Sequence, residues 1–367
     1  MKDYFNYCPS DSKGKYSVIL TDSLEGNIKD KIEQYVCQYK SLVFVIDKNL
    51  PKSYRNILNN FIKLSGKKIL YIDPSTKTLD KIVKIWKLMV SSVSDAVVAL
   101  GGGTVCDLVG FASATYQRGI PRILFPTTVL SMVDASIGGK TGIDFNGVKN
   151  SVGAIHYPTI VVNYLPFLSS QKDEDYNSGF SEIIKAAVLY DRVFFEDLMI
   201  FSKLKRKLTE KETLKILLTS SKLKAKVCED DKKKKISLLY GHSIGHALEI
   251  YNNVYQRHGD CVSIGMNIEG AIACLLGVWN EKEWRDQLNL LRFYNLPTKL
   301  PKNIKLLNLT KKMLLYKKLV SKDYYLFSVP KKIGEINNSH LDYLTSVKKE
   351  KMIPLLKTSL KWMEEKN

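Results

Sequence analysis

Three of the five histidines in the chain fall between positions 242 and 258. His242 and His246 stand in YGHSIGHALE, and His258 follows in RHGD. On a helix, residues four apart share a face, so His242 and His246 can present two imidazoles together. Imidazole is a good zinc ligand. His258 heads a further stretch with helical spacing, GDCVSIGMNIEGAIACLLGVW. Upstream, SGFSEIIKAAV places Glu182 and Lys185 three apart amid Ile, Ala and Val. A carboxylate on such a stretch needs a partner or a metal; an ion pair with Lys185 would meet that need by itself. Three histidines and one carboxylate supply enough ligands for zinc with an open coordination position. Spacing leaves open which three groups bind.

A second set of residues suits anions. The run DAVVAL (95–100) leads into GGGTVCDLVGFAS. Glycines directly after a strand and before a helix let the backbone approach a pyrophosphate, where the helix N-terminus offers free N–H groups and a favourable dipole. The spacing is not GxGxxG, and three glycines there also make a plain tight turn. The stretch 122–158, RILFPTTVLSMVDASIGGKTGIDFNGVKNSVGAIHYP, is polar and glycine-rich, as ligand-handling loops are. Within it Lys140 and Lys149 are candidates for binding phosphate or carboxylate.

These residues need a frame. KYSVIL (15–20), LVFVID (42–47), KKILYI (67–72) and DAVVAL read as buried parallel strands. Between them LDKIVKIWKLMV (79–90) has helical spacing, with Leu79, Ile82, Ile85, Trp86 and Met89 on one face. Alternating strand and helix predicts a parallel sheet covered on both sides. From about 171 onward the apolar spacing is three and four, and DEDYNSGFSEIIKAAVLYDRVFFEDLMIF holds one long helix or two. The expected division is an α/β domain over 1–168 and a helical domain over 169–367.

Composition excludes other classes. At 367 residues the chain suffices for two domains. No apolar run is long enough to cross a membrane, and the polar start lacks the apolar centre of a signal peptide, so a cytoplasmic protein is expected. The six cysteines are scattered without a CxxC pair, which argues against a thiolate zinc site. The net charge of +19 comes from lysine spread along the chain, and the dense run DKKKK (231–235) lacks interleaved aromatics. No nucleic-acid partner is expected; a positive surface also suits a phosphorylated metabolite.

Six segments taken together resemble the dehydroquinate synthase family, within the wider sugar phosphate cyclases. They are GGGTVCDLVGFASATYQRG, PTTVLSMVDASIGGKTG, GVKNSVGAIHYP, SGFSEIIKAAV, GHSIGHALE and RHGDCVSIGM. They occur in the family's order over about 100–270. Iron-containing alcohol and glycerol dehydrogenases share the architecture but lack the PTT…GGKTG…KN arrangement. The resemblance implies an N-terminal Rossmann-like NAD-binding α/β domain and an all-α C-terminal metal-binding domain, in a homodimer. It implies zinc or cobalt ligands Glu182, His242 and His258, with His246 handling protons or phosphate. NAD would meet Lys77, Gly101, Gly102, Gly103, Thr104, Val105, Cys106, Asp107, Thr127, Thr128, Lys140 and Lys149. Asp134, Lys140, Asn150, Lys185, Lys224 and His246 match positions that line the substrate pocket. Arg118 matches an arginine reaching the neighbouring subunit's site, and Lys317 or Lys318 matches a late lysine. The implied activity is 3-dehydroquinate synthase, a lyase of the shikimate pathway that forms 3-dehydroquinate and phosphate from 3-deoxy-D-arabino-heptulosonate 7-phosphate.

Four departures bear on this. Cys106 replaces a glycine of the turn, where a side chain could crowd a pyrophosphate. Pro74, in DPSTK, replaces a ribose-binding Glu. The segment from Lys224 to His242 is short and lacks an arginine; Lys232 to Lys235 restore charge but not a bidentate fork. Leu239 replaces an Asn. These keep a second reading open: another cyclase, such as a 2-deoxy-scyllo-inosose synthase acting on glucose 6-phosphate, a group that also alters the residue before its tyrosine-GH pair and whose tyrosine Tyr240 resembles.

Overall fold

A computed structural model describes residues 2–7, 15–63, 68–204, 206–229, 234–251, 257–315, 319–338 and 343–366. Lys317 and Lys318, and the side chains of Lys232 to Lys235, lie outside the described residues. The chain divides into two compact units: Met1–Lys172 with Thr209–Glu229, and Asp173–Leu208 with Asp230–Asn367. Where the sequence suggested one boundary near 168, the chain changes unit three times, and the helix carrying Lys224 belongs to the first unit.

In the first unit the elements run β1 (Lys2–Tyr7), β2 (Tyr16–Thr21), α1 (Asn27–Cys37), β3 (Leu42–Asp47), α2 (Lys52–Lys63), β4 (Lys68–Ile72), α3 (Leu79–Ser92), β5 (Ala96–Gly101), α4 (Gly103–Thr115), β6 (Arg122–Pro126), β7 (Lys140–Phe145), β8 (Val148–Ile155) and β9 (Ile160–Tyr164). One seven-stranded sheet has the order β1-β2-β9-β6-β5-β3-β4. It is parallel except for β1, which pairs antiparallel with β2. The apolar runs of β2, β3 and β5 are buried along their whole length, as strands covered on both faces must be. From β3 the chain first adds β4 on one side, then β5 on the other, so the order reverses between β3 and β5. At such a switch point the carboxyl ends of strands leave a crevice for ligands.

Three expectations for this unit change, the first being that β4, at the sheet edge, is buried only at Ile72. The buried stripe of α3 is Ile82, Ile85 and Met89, while Leu79 is exposed and the Trp86 indole donates to Ala112 O at 3.2 Å. The stretch after β6 is not an irregular loop. Ser131–Ala135 form one turn of π-helix, and β7 and β8 form an antiparallel hairpin. Phe145 pairs with Val148 across Asn146 and Gly147, which both have positive φ (50° and 75°). That is the backbone of a two-residue Asn-Gly hairpin turn, whose twist matches the strands it joins.

The second unit is helical, with α5 (Asp173–Tyr190), α6 (Arg192–Lys203), α8 (His242–Glu249), α9 (His258–Leu275), α10 (Glu281–Phe293), α11 (Leu306–Met313) and α12 (Lys349–Lys366); α7 (Glu210–Glu229) belongs to the first unit. Asp191 separates α5 from α6, its carboxylate accepting from Phe194 N–H at 2.9 Å as an N-cap. Two small ribbons, β10 (Tyr324–Phe327) with β13 (Thr345–Lys348) and β11 (Pro330–Lys332) with β12 (Glu335–Ile336), accompany the helices. Helix α9 is the core of this unit, buried almost throughout from Gly259 to Ala273. No helix among the described residues is long and apolar enough to cross a membrane.

Candidate metal centre and nucleotide turn

In the second unit three helices bring their ligands together. Glu182 comes from the middle of α5, His242 from the first position of α8, and His258 from the first position of α9. One donor atom of each lies within 4.8 Å of the others. Glu182 Oε1 is 3.7 Å from His242 Nε2 and 3.5 Å from His258 Nε2. A zinc ion bonds such atoms at about 2.0–2.2 Å, which sets tetrahedral neighbours roughly 3.3–3.6 Å apart. The donor set therefore fits an ion with little movement.

The remaining atoms of these ligands are also held. His242 Nδ1 lies 3.0 Å from Tyr240 O, so its N–H donates there and Nε2 is left as the donor to a metal. His258 Nδ1 is 2.5 Å from Glu249 Oε1. Lys185, 2% exposed, bonds the second oxygen of Glu182 and donates to Leu238 O at 2.8 Å. The expected Glu182–Lys185 ion pair and the ligand role are thus compatible, because they use different oxygens.

Charge differs between the two imidazoles. Burial pushes His242 well below the ordinary histidine range, and Lys185, His246 and His258 add to the shift. Burial also acts against a charge on His258, but Glu249 and Glu182 outweigh it and raise its pKa to about 10. His246, one turn along α8, is half-buried, its ring centroid 4.9 Å from that of His242 and 6.0 Å from that of His258.

The helices can approach this closely because α8 and α9 cross with no side chain between them. A Cβ on Gly265 would lie 1.9 Å from Gly241 O. Gly241 precedes α8 at φ 77° and supplies no side-chain cap. Tyr240 is fully buried, its hydroxyl 2.9 Å from Met266 O and 2.9 Å from Gln287 Oε1, so it packs the core rather than meeting a ligand. Leu239, half-buried, ends the preceding short helix.

In the first unit the glycine turn closes β5 and opens α4. Gly102 caps the helix without a side-chain hydrogen bond, which leaves first-turn N–H groups for an anion. A Cβ on Gly102 would press on Thr128 Cγ2 at 3.2 Å, and Thr127 N–H donates to Gly101 O at 3.1 Å, so the turn and the PTT segment lie against each other. Asp107 pairs with Lys77 at 2.8 Å, and Lys77 also bonds Asn150 Oδ1. Burial raises the Asp107 pKa, and Lys77 opposes the shift. Asp134 pairs with Lys224 at 2.5 Å.

Not every expected contact faces outward. Val105 and Cys106 are buried in α4, and the Cys106 thiol lies 3.8 Å from Gly101 O. Their N–H groups both donate to Gly102 O, so the cysteine adds no bulk on the outer side of the turn. Gly103, Thr104 and Thr128 are partly exposed; Lys140, Lys149, Asn150 and Arg118 are exposed. Lys140 sits at the base of the hairpin and Lys149 beside its turn. Four rungs at about 3.4 Å separate them by roughly 14 Å, too far for one phosphate but within the span of a dinucleotide. Pro74 stands beside Asp73, whose carboxylate accepts from Ser75 N–H at 2.9 Å.

Three carboxylates went unread in the sequence: Glu249, Glu269 and Asp47. Glu249 is at the end of GHALE, three residues after His246. Glu269 lies amid Ile268, Gly270 and Ala271 in α9, the same signal that marked Glu182. Asp47 ends β3 beside β5 at the switch point, 9% exposed.

The chain is similar to known proteins. The profile for the 3-dehydroquinate synthase N-terminal region matches residues 69–178, and that for the C-terminal region matches 179–319. A 3-dehydroquinate synthase of Streptococcus pyogenes is 31% identical over 296 residues, 78% of this chain and 81% of that protein. One from Prochlorococcus marinus is 36% identical over 337 residues, 88% of this chain and 92% of its own. Among solved structures, a 2-deoxy-scyllo-inosose synthase complexed with carbaglucose-6-phosphate, NAD+ and Co2+ superposes with TM-score 0.82 at 20% identity, covering 96% of this chain and 99% of that one. The 2-epi-5-epi-valiolone synthase of Streptomyces hygroscopicus, with NAD+ and Zn2+ bound, gives TM-score 0.81 at 21% identity over 97% and 98% of the two chains. At these identities the two structures speak for the fold.

Proposed function

The chain belongs to the 3-dehydroquinate synthase family, and on that premise we propose that it is a phosphate-eliminating lyase converting 3-deoxy-D-arabino-heptulosonate 7-phosphate to 3-dehydroquinate and phosphate. The observation that carries the reading is the convergence of Glu182, His242 and His258 from three helices. A zinc or cobalt ion held there supplies Lewis acidity toward a substrate oxygen, and NAD at the glycine turn supplies a transient hydride acceptor.

The chain's own residues then divide the remaining work. Gly101, Gly102, Gly103 and Thr104 offer backbone donors to the pyrophosphate of NAD, with Thr127 and Thr128 beside them, and Lys149 on the hairpin supplies positive charge toward the dinucleotide. Asp47, at the end of β3, is placed to accept a ribose hydroxyl, as acidic residues at such strand ends do. Lys77 holds Asp107 and Asn150 in place. Lys140, Asn150 and the Lys224–Asp134 pair bind and orient the anionic substrate. His246 moves a proton at substrate oxygen, a role for which an imidazole serves as either acid or base. Lys185 fixes Glu182 by its second oxygen. The working form is a cytoplasmic homodimer in which the exposed Arg118 reaches its partner's site.

A second reading, a cyclase of a different sugar phosphate, draws on Leu239 and the missing arginine. Leu239 presents no polar atom where the family has an amide. Phosphate release with NAD and zinc, compared across 3-deoxy-D-arabino-heptulosonate 7-phosphate, glucose 6-phosphate and sedoheptulose 7-phosphate, tests both. Release from the first supports the main reading; release only from a substrate without the carboxylate overturns it.

A further inference from the structure

Glu269 is a carboxylate with 0% exposure in the middle of α9. Its Oε2 accepts from Gly241 N–H at 2.8 Å and its Oε1 from Ile244 N–H at 2.9 Å. These are the cap position and the third position of α8. Helix N-termini leave such donors without intrahelical partners, and a capping box satisfies the same two with two side chains of its own helix. Here α8 has no capping side chain, and one residue from a different helix does both jobs. Burial pushes the Glu269 carboxyl up to about 8, against the pull of the Ile244, Gly241 and Ser243 N–H groups and of Lys185.

The placement has a consequence for the candidate ligands. His242 is the first residue of α8 and sits between the two donors that Glu269 binds. His258 is the first residue of α9, and Glu269 follows it by about three turns on the same face. The opposite end of α8 is tied to α9 as well, because Glu249 of α8 bonds His258 Nδ1 at 2.5 Å. Each helix therefore has its first turn held by a carboxylate of the other, and a Cβ on Gly265 would lie 1.9 Å from Gly241 O, so the two helices cross there with no side chain between them.

We infer that Glu269 is a positioning residue for the metal centre: by holding the start of α8 to α9, it sets the separation of the His242 and His258 donor nitrogens. The inference rests on the reading of Glu182, His242 and His258 as metal ligands and deepens it. A group that only stabilised the fold would lower the melting temperature when removed and leave metal affinity alone. A positioning group changes the affinity and the ligand field.

The test uses the full chain, stripped of metal and titrated with Zn2+, and with Co2+ while the visible d–d bands are recorded. NAD binding and a cooperative melt report that each variant is folded. For Glu269→Ala, zinc affinity is expected to fall about 10–100-fold with altered cobalt bands, the range seen when groups supporting metal ligands are removed. Glu269→Gln, which keeps one acceptor, is expected to recover part of the loss. Glu269→Asp, with its carboxylate drawn back by one methylene, is expected to fall between wild type and Ala. Wild-type affinity and wild-type bands in the Gln and Asp variants overturn the inference, whether or not the Ala variant folds. A wild-type protein that takes up no metal, or a Glu182→Ala variant that binds it normally, instead overturns the reading of the ligands themselves.

Discussion

The imidazole cluster of the second unit and the glycine turn of the first meet their expected ligands in different ways. In the cluster, both ligand histidines have their second nitrogen engaged, by Tyr240 O and by Glu249, and Glu182 has its second oxygen on Lys185. Donor atoms already stand at separations that suit an ion. At the turn, the helix start has no side-chain cap, Lys77 is paired with Asp107, and Lys140 and Lys149 are exposed. The difference follows from the ligands. An ion bonded at about 2 Å tolerates little error, whereas an extended dinucleotide collects many weaker contacts along a surface. Preorganisation is concentrated where the tolerance is smallest.

The contrast can be broken most directly at the ligands. Glu182→Ala should abolish stoichiometric zinc, weakening affinity by more than about 100-fold. His246→Ala should keep its zinc and turn over about 100–1,000-fold more slowly. Metal analysis beside single-turnover kinetics reads both; equal metal loss in the two variants would erase the division between ligand and proton carrier.

A smaller effect concerns protons. His258 has its pKa raised to about 10, so in the metal-free protein it stays protonated below that pH, and a metal must displace the proton. Affinity should therefore fall as pH falls, by roughly tenfold per unit below about 10. His242, held neutral, adds no proton of its own. Zinc titrations in buffers of different ionisation heat should report close to one proton released at neutral pH, and Glu249→Gln should reduce it.

At the glycine turn the changes should be milder. Lys77→Ala releases Asp107 and Asn150 together, and NAD affinity should drop about tenfold, the effect of losing a charge-assisted contact; equilibrium dialysis of NAD measures it. Cys106→Gly should be the smallest. The thiol points into the fold, so NAD affinity should not change, while the glycine inside α4 and the lost packing should cost about 1–2 kcal/mol in denaturant unfolding. A clear gain in NAD affinity would mean that the side chain crowds the turn after all.

Much of this was legible before any coordinates. Strands β2 to β5 and helix α3 follow from apolar runs and spacing, and Glu182 was marked because a carboxylate on an apolar helix is costly unless used. The same reasoning, applied to Glu269 in α9, would have found the residue that caps α8. The hairpin was also within reach: DFNGVK carries an Asn-Gly turn signal, hidden by a polar, glycine-rich stretch that reads as a loop. Exposure of Leu79 was not readable, since a helical stripe gives the face but not how far the sheet beneath it extends.

The order and identity of the residues determined which chemistry is available: three imidazoles and a carboxylate from which an ion could be held, glycines at a strand end for a pyrophosphate, lysines for anions. Spacing along the chain could not say which of four ligand candidates converge, because Glu182, His242 and His258 start on separate helices. Their meeting depends on how closely α8 and α9 pack, and that closeness rests on glycines and buried hydrogen bonds between residues far apart in the chain. Local pattern sets the faces of helices and strands; only long-range packing sets the distances between them.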